Sequence, residues 1–203
     1  MAALTQIEVM NNALAMLGAS LISDPAEDSE GARQLSRIYT ATVQSELESN
    51  AWYFAKAQAS LPLSADVPIY KFGNKYTLPA DFIRLIELED SWVFTDIRPV
   101  DTAPVPLYEM QGDAILTNIS APLNITYARD MTTSPDLWSP TFSDVVSASL
   151  ASQSAMTLTK SGEMVKLASN MYAQAIRRAK HANAIQLPPV QFPDSSWIAV
   201  RAL

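Results

Sequence analysis

The chain has 203 residues, of which 48% are apolar, and this is enough to bury one sizeable core or two smaller ones. Its 14 Lys and Arg against 21 Asp and Glu give a net charge of −7, which disfavours a protein that holds nucleic acid through phosphate contacts. The sequence contains no Cys and a single His, His181, so disulfides, thiolate nucleophiles and thiolate or His-rich metal sites are excluded.

Two helices are predicted at the start of the chain. Thr5 and Glu8 match a capping box, in which each side chain accepts from the backbone N–H of the other residue. A helical apolar stripe follows, and Gly18 predicts the end of this helix because glycine adopts a left-handed conformation without penalty. Acidic residues over 27–30 favour the start of the second helix, which we expect to end near Asn50.

A β-rich insertion is predicted over residues 51–134. From Trp52 to Leu61 the apolar residues alternate with polar ones, which is typical of a half-buried strand. Turn-forming residues separate further candidate strands. These strands are Ile69–Leu78, Phe82–Leu88, Ser91–Ile97, Ala114–Asn118 and Asn124–Ala128.

The helical period returns after Pro140, and a break over 158–162 separates a third helix from a fourth. Residues 185–203 lack a helical stripe and predict an extended C-terminal tail. Four amphipathic helices can bury their stripes against one another. The predicted fold is therefore α+β: residues 1–50 and 135–184 form an antiparallel four-helix bundle, with the β-rich insertion and the tail attached to it.

The charged fraction is 17%, below the roughly 25% of a typical soluble domain. Either an oligomer hides neutral surface, or a monomer carries a surface rich in Ser, Thr and Gln. The longest charge-free stretches, over 9–23 and 145–159, are too short and too polar to cross a bilayer, so no membrane partner is expected. No export signal is expected either, because the first basic residue is Arg33.

The sequence predicts no catalytic, cofactor-binding or metal-ligating residues. It has no G-x-S-x-G motif, and its five glycines form no phosphate-binding loop. Acidic pairs such as Asp24/Asp28 and Glu46/Glu48 could act as general acid and base, but helix ends and solvated helix faces explain them better. An acidic turn at residues 87–90 could hold a divalent ion and is more typical of a solvated turn.

One basic cluster stands out near the end of the fourth predicted helix. It comprises Arg177, Arg178, Lys180 and His181. Contact with DNA is one interpretation. The others are a solvated helix face or pairing with the acidic start of the second helix, on this or a neighbouring subunit. His181 is expected in the last helical turn, where a cation suits the negative end of the dipole.

The predicted tail supplies further candidate partner-binding residues, namely Pro188, Pro189, Phe192 and Trp197. A Pro-rich segment is already extended and loses little entropy on docking, so its aromatic residues could anchor it on a partner. The alternatives are a tail folded back on the helices or a disordered tail.

Several short motifs occur in an order that resembles one protein family. They are Ala13-Leu14…Leu17-Gly18, Tyr39, Trp52-Tyr53-Phe54-Ala55, Tyr76-Thr77-Leu78-Pro79-Ala80-Asp81 with Arg84, Tyr108-Glu109…Gly112…Ile115-Leu116-Thr117, Tyr127-Ala128-Arg129-Asp130 and Leu158-Thr159. Over residues 4–184 this ordered set resembles the head-to-tail adaptor of tailed bacteriophages, of the tail tubular protein A type.

The resemblance implies a non-enzymatic structural protein of the virion, at the head–tail interface and assembled in the host cytoplasm. It implies a dodecameric ring that docks beneath the portal protein, extends the DNA channel and gives a tail nozzle or tube protein a docking face. Double-stranded DNA would pass through without specific binding. Another neck protein, such as a stopper or tail-completion protein, is the first alternative, and a virion-carried peptidoglycan hydrolase is the second.

Overall fold

The computed structural model describes residues 4–88 and 107–186, and these residues form four α-helices, two short 3-10 helices and six strands. In chain order the main elements are α1 (Gln6–Met16), α2 (Glu30–Ser49), β1 (Lys56–Leu61), β2 (Asn74–Thr77), β3 (Phe82–Leu88), β4 (Tyr108–Gln111), β5 (Ala114–Thr117), β6 (Leu123–Arg129), α3 (Pro140–Thr159) and α4 (Gly162–Gln186).

The predicted starts of the first two helices are confirmed. The backbone N–H of Thr5 donates to Glu8 Oε2 at 2.7 Å, and that of Glu8 donates to Thr5 Oγ1 at 3.3 Å, which completes the capping box. Gly18 lies just beyond α1 with φ +66°, where a side chain would be strained. Helix α2 is capped by Ser29 and ends before Asn50.

Helix α3 is the central helix, and α1, α2 and α4 each pack against it. Its buried residues lie on several sides and many are small; for example, Ser147 and Ser154 are both buried. The hydroxyl of Ser147 donates to Val9 O at 3.2 Å and that of Ser154 to Leu150 O at 2.6 Å, so neither leaves an unsatisfied polar group.

The predicted antiparallel four-helix bundle is therefore wrong. In such a bundle each helix presents one apolar stripe to a shared core, whereas α3 is buried around much of its circumference. The strands separate the first two helices from the last two in the chain, and α2 also contacts β3. The described residues instead form an α+β arrangement of four helices and two three-stranded antiparallel sheets.

The contacts of α2 fix which ends of the helices meet. Thr42 in α2 accepts a hydrogen bond from Gln153 near the end of α3, at 3.0 Å. At the other end, Asn183 of α4 donates to Ala51 O at 3.0 Å and accepts from the Tyr53 N–H at 2.9 Å. The C-terminal end of α4 therefore lies beside the C-terminal end of α2.

The two sheets form successive layers next to the helices. The first has the order β1-β6-β3 and the second β2-β5-β4, with every pairing antiparallel. Ile83 of the first sheet packs against the helical core. On the other face, Ile125 and Tyr127 share a core with Tyr76 and Ile115 of the second sheet. The first sheet therefore lies between the helices and the second sheet.

The junction between α2 and β1 differs from its prediction. Residues Tyr53–Ala55 form a 3-10 turn, and the strand begins only at Lys56. The rings of Trp52 and Phe54 each lie 5.0 Å from that of Phe142 in α3, so this turn attaches the start of β1 to the helices. The Trp52 indole N–H donates to Glu46 O at 2.8 Å, which satisfies it inside the core.

Other predicted boundaries also change. The strand predicted over Ile69–Leu78 is limited to β2, and β4 was not predicted. Residues 185 and 186 belong to α4 rather than to an extended tail, because the helix continues to Gln186. The predicted strand Ser91–Ile97 and the rest of the tail, over 187–203, lie outside the described residues.

Candidate functional site

The basic cluster lies on the exposed side of α4, where all four of its side chains are exposed. Helical spacing places residues 177, 178, 180 and 181 on one arc of about 160°. None of them has an ion pair or hydrogen bond within residues 4–88 and 107–186. The last turn of α4 contains no basic residue, so the expectation that His181 lies there is wrong. The helix dipole therefore does not account for the cluster.

A buried carboxyl lies beneath this part of α4. Glu46 is only 5% exposed, and burial raises the pKa of its carboxyl above the ordinary value, against hydrogen bonds from Tyr172 and Ser149 and attraction to Lys180. Burial and the nearby Glu46 carboxyl raise the pKa of Tyr172 to about 12. The group therefore joins α2, α3 and α4 through polar contacts inside the core.

Neither acidic pair singled out from the sequence forms a converging acid–base pair. Glu46 is buried, whereas Glu48, two residues further along α2, is exposed. Asp24 accepts from the Ala26 N–H at 2.7 Å, and Asp28 forms an ion pair with Arg33 at 2.9 Å, so both act locally at the start of α2.

An exposed apolar surface lies at the second sheet. It is formed by the loop over 62–73, beside strand β4, and we call it the apolar surface. Its large exposed side chains are Leu63, Val67, Ile69 and Tyr70. Tyr108 and Met110 are also exposed, but they alternate along β4 with Glu109 and Gln111, which face the loop, and therefore lie on the other face of the sheet. Ile69 is fully exposed, and Val67 and Tyr70 retain 76% and 80% of their exposure, so these side chains have little contact with the rest of the chain.

Several contacts near the end of the loop hold it in this position. Phe72 is buried and anchors it, while the Lys71 ammonium pairs with Glu109 of β4 at 2.6 Å. Lys71 has φ 74°, and the N–H of the adjacent Gly73 donates to Asn118 Oδ1 at 2.8 Å. The apolar side chains therefore project from a loop with a buried anchor.

A shallow groove of about 250 Å³ separates the loop from β4. Its walls include Ile69 and Tyr70 on one side and Glu109 and Gln111 on the other, with Leu116 of β5 between them. Among the described strands, β4 forms the edge of its sheet and pairs only with β5. The site can accept apolar side chains of another protein, with Lys71 and Glu109 as nearby polar contacts.

Sequence reasoning missed the apolar surface because it assigned Ile69 and Tyr70 to a strand. Pro62 and Pro68 were the available signal, since proline cannot donate to a strand ladder. The predicted anchors Pro188, Pro189, Phe192 and Trp197 lie outside the described residues, so the structure gives them no position.

Arg84 and Arg129, for which no partner was predicted, are strand residues of β3 and β6. In each of them the Nε atom is buried and has no hydrogen-bond partner in the described part of the chain. Close to Arg129, Tyr127 donates its hydroxyl to Asp81 Oδ1 at 3.0 Å, and burial together with Asp81 raises the pKa of Tyr127.

No group of three or more acidic or His side chains that could hold a metal ion occurs in residues 4–88 and 107–186. Of the acidic turn predicted near residue 87, Glu89 and Asp90 lie outside these ranges. None of the described helices combines the length and the apolar character needed to span a membrane.

Comparison with known proteins adds no relative to this description. No protein-family model matches the chain, and no curated protein matches its sequence significantly. The likeness to phage head-to-tail adaptors accordingly stays a prediction from the ordered motifs in the sequence.

Proposed function

We propose that this chain is the structural subunit of an adaptor ring in a tailed-phage virion, located between the portal protein and a tail nozzle or tube protein. The ring extends the DNA channel from the head and provides the face on which the tail docks. The ordered motifs support this proposal from the sequence. From the structure, the observation that carries it is the apolar surface.

The apolar surface suits a permanent protein contact. Soluble monomers rarely expose a contiguous group of large apolar side chains, and such groups mark interaction sites. Three of its side chains, Val67, Ile69 and Tyr70, lie within four residues and are each more than 70% exposed. Covering each of them would contribute about 1.5–3 kcal/mol, which is the usual gain for burying a large apolar side chain.

The position of this surface is also consistent with docking. The loop lies beside β4 of the second sheet, which the first sheet separates from the helices. A partner bound there would contact the outer layer and leave the helical core undisturbed. We therefore assign the apolar surface to the contact with the next virion protein.

The proposed mechanism is mechanical. DNA passes through the ring during genome ejection, and a wall that grips phosphates would slow it. The chain carries a net charge of −7, which favours sliding over binding because few counterions would be released from the DNA.

A docking experiment with matched variants tests the proposal. The purified chain is mixed with the portal protein and, separately, with the tail nozzle protein, and complex size is measured by light scattering. Ile69→Ser/Tyr70→Ser should retain its melting temperature and lose docking to the nozzle protein. The control Leu137→Ser removes an exposed apolar side chain just before α3 and should dock normally.

A wild-type chain that stays monomeric and binds neither protein would contradict the adaptor function. The double variant could instead form rings, bind the portal protein and bind the nozzle protein as tightly as wild type. This result would support the adaptor function and reject the apolar surface as its docking face. If the double variant loses binding to the portal protein instead, the result would favour another kind of neck protein over the adaptor.

A further inference from the structure

Within the described residues, Arg177, Arg178 and His181 of the basic cluster have no anionic partner, and Lys180 has only the attraction of the buried Glu46. The exposed cations of the cluster, together with the nearby exposed side chain of Ile185, form a mixed basic and apolar surface at the C-terminal end of α4. Of the nearby carboxylates, Glu46 is buried beneath the helix, and Glu48 forms no ion pair with the cluster.

The opposite end of α2 carries a surface of complementary charge. We call residues 24–30 the acidic segment, since they include Asp24, Glu27, Asp28 and Glu30. Leu21, just before it, is 62% exposed, so this end also combines charge with apolar area. An open groove of about 270 Å³ lies alongside and is lined by Glu30, Arg33, Gln34 and Arg37 of α2 and Thr157 of α3, so the negative charge is confined to the acidic segment itself.

These two surfaces cannot meet within one chain. Asn183 holds the end of α4 beside Ala51 and Tyr53, which follow the end of α2. Glu30 and Glu46 are about 24 Å apart along α2, at 1.5 Å per residue. This distance is several times the reach of an ion pair and exceeds the screening length of about 8 Å at physiological salt.

From this arrangement we infer that the basic cluster of one copy docks on the acidic segment of the next copy. The contact is heterologous, joining two different surfaces of the same chain, and repetition of such a contact closes a ring when the rotation allows it. This inference rests on the proposed ring and names the surfaces that join its subunits. The partner is a second copy of this chain.

Charge reversal in two variants tests the pairing. The basic-reversed variant carries Arg177→Glu/Arg178→Glu, and the acidic-reversed variant carries Asp28→Arg/Glu30→Arg. Each variant alone has two surfaces of the same sign, so we expect about a tenfold or larger weakening of self-association relative to wild type. An equimolar mixture of the two variants should regain association, because each then supplies the surface that the other needs.

The matched control is Lys160→Glu/Lys166→Glu, which changes the net charge as much as the basic-reversed variant does. Both of its lysines are exposed; Lys166 lies near the start of α4 and Lys160 just after the end of α3, so neither belongs to the basic cluster. Association is measured by sedimentation velocity at 25 mM and 500 mM salt, with circular dichroism to verify folding. The control should self-associate as tightly as wild type, and 500 mM salt should weaken the self-association of the control and of wild type.

The outcomes separate this inference from the proposed function. If the wild-type chain is monomeric at both salt concentrations, both the proposed ring and the proposed contact between copies are wrong. Undiminished association by the folded single variants, or a mixture that fails to recover, overturns the contact while the ring stands. Loss of binding to a 20-base-pair duplex by the basic-reversed variant, with self-association intact, assigns the cluster to DNA and also overturns the contact.

Discussion

The helical layer and the apolar surface use large apolar side chains in opposite ways. Around α3, aromatic rings are enclosed: Phe142 is fully buried and lies 5.0–5.1 Å from the rings of Trp52, Phe54 and Trp138. In the loop over 62–73, Tyr70 is 80% exposed. The first region stabilises the fold of the single chain, and the second has apolar area that only another molecule can bury.

The largest expected effect tests this contrast directly. Phe142→Ala removes a ring from the enclosed aromatic group and should lower the free energy of unfolding by about 3–5 kcal/mol, through lost burial and the cavity that remains. Tyr70→Ala, the matched change in the exposed loop, should alter it by less than about 0.5 kcal/mol. Urea unfolding of both variants gives the comparison, and equal losses would contradict it.

The second prediction concerns the end of α4. Asn183→Ala removes the hydrogen bonds to Ala51 and Tyr53 and should cost about 1–2 kcal/mol, at roughly 1 kcal/mol per bond. Hydrogen exchange should accelerate over the last turns of α4 and remain slow in α3. Gln174→Ala, at an exposed position on the same helix, serves as the control. Unchanged exchange in Asn183→Ala would show that these bonds do not fix the end of α4.

The third prediction uses the buried carboxyl of Glu46. Because burial raises its pKa in the folded chain, the folded state binds its proton more tightly than the unfolded state does. The contribution of Glu46 to stability is therefore greatest below the pKa that its carboxyl has in the unfolded chain. It falls as the pH rises through the higher pKa of the same carboxyl in the folded chain. Glu46→Gln removes this decline and should raise the free energy of unfolding at pH 7.

Melting temperatures of Glu46→Gln and wild type, measured from pH 3 to pH 8, test this sign. The advantage of the variant should appear as pH rises and vanish at the acidic end. The exposed neighbour Glu48→Gln should show no such trend. A variant that is less stable than wild type across the whole range would show that the hydrogen bonds and Lys180 outweigh the effect of burial.

The smallest expected effect lies in the exposed loop. Lys71→Gln breaks the ion pair with Glu109. The side chain of Lys71 is 32% exposed and that of Glu109 is 51% exposed, so the free energy of unfolding should fall by less than about 0.5 kcal/mol. Exchange of the loop amides should nevertheless accelerate, because Lys71 joins the loop to β4. Lys75→Gln breaks the ion pair between β2 and Asp66 of the same loop, so it should also accelerate exchange of the loop amides without a global loss of stability. A global loss of stability in Lys71→Gln would contradict the separation of the two regions.

Features that depend on neighbouring residues were predictable from the sequence. Thr5, Glu8 and Gly18 specify the ends of α1 through contacts that span a few residues, and the structure contains those contacts. The end of α2 near Asn50 was also predicted correctly, but the strand predicted from Trp52 begins only at Lys56, after the 3-10 turn over Tyr53–Ala55.

Features that depend on distant neighbours were not predictable. The apolar stripe of α3 was visible, but burial of Ser147 and Ser154 on other sides arises only when α1 and α4 pack around the same helix. The exposure of Ile69 and Tyr70 likewise reflects a loop conformation held by Lys71 and the buried Phe72. The basic cluster was recognised from the sequence, and its contact with a second copy stays a prediction.

The small buried serines of α3 predict which positions should vary least among homologous sequences. Side-chain volume at positions 147 and 154 sets how near the adjoining backbones come, so a bulky replacement would wedge them apart even where it is more hydrophobic. Distant homologues are therefore expected to retain Gly, Ala or Ser at these two positions even where most of the large apolar core residues have been replaced by other apolar residues.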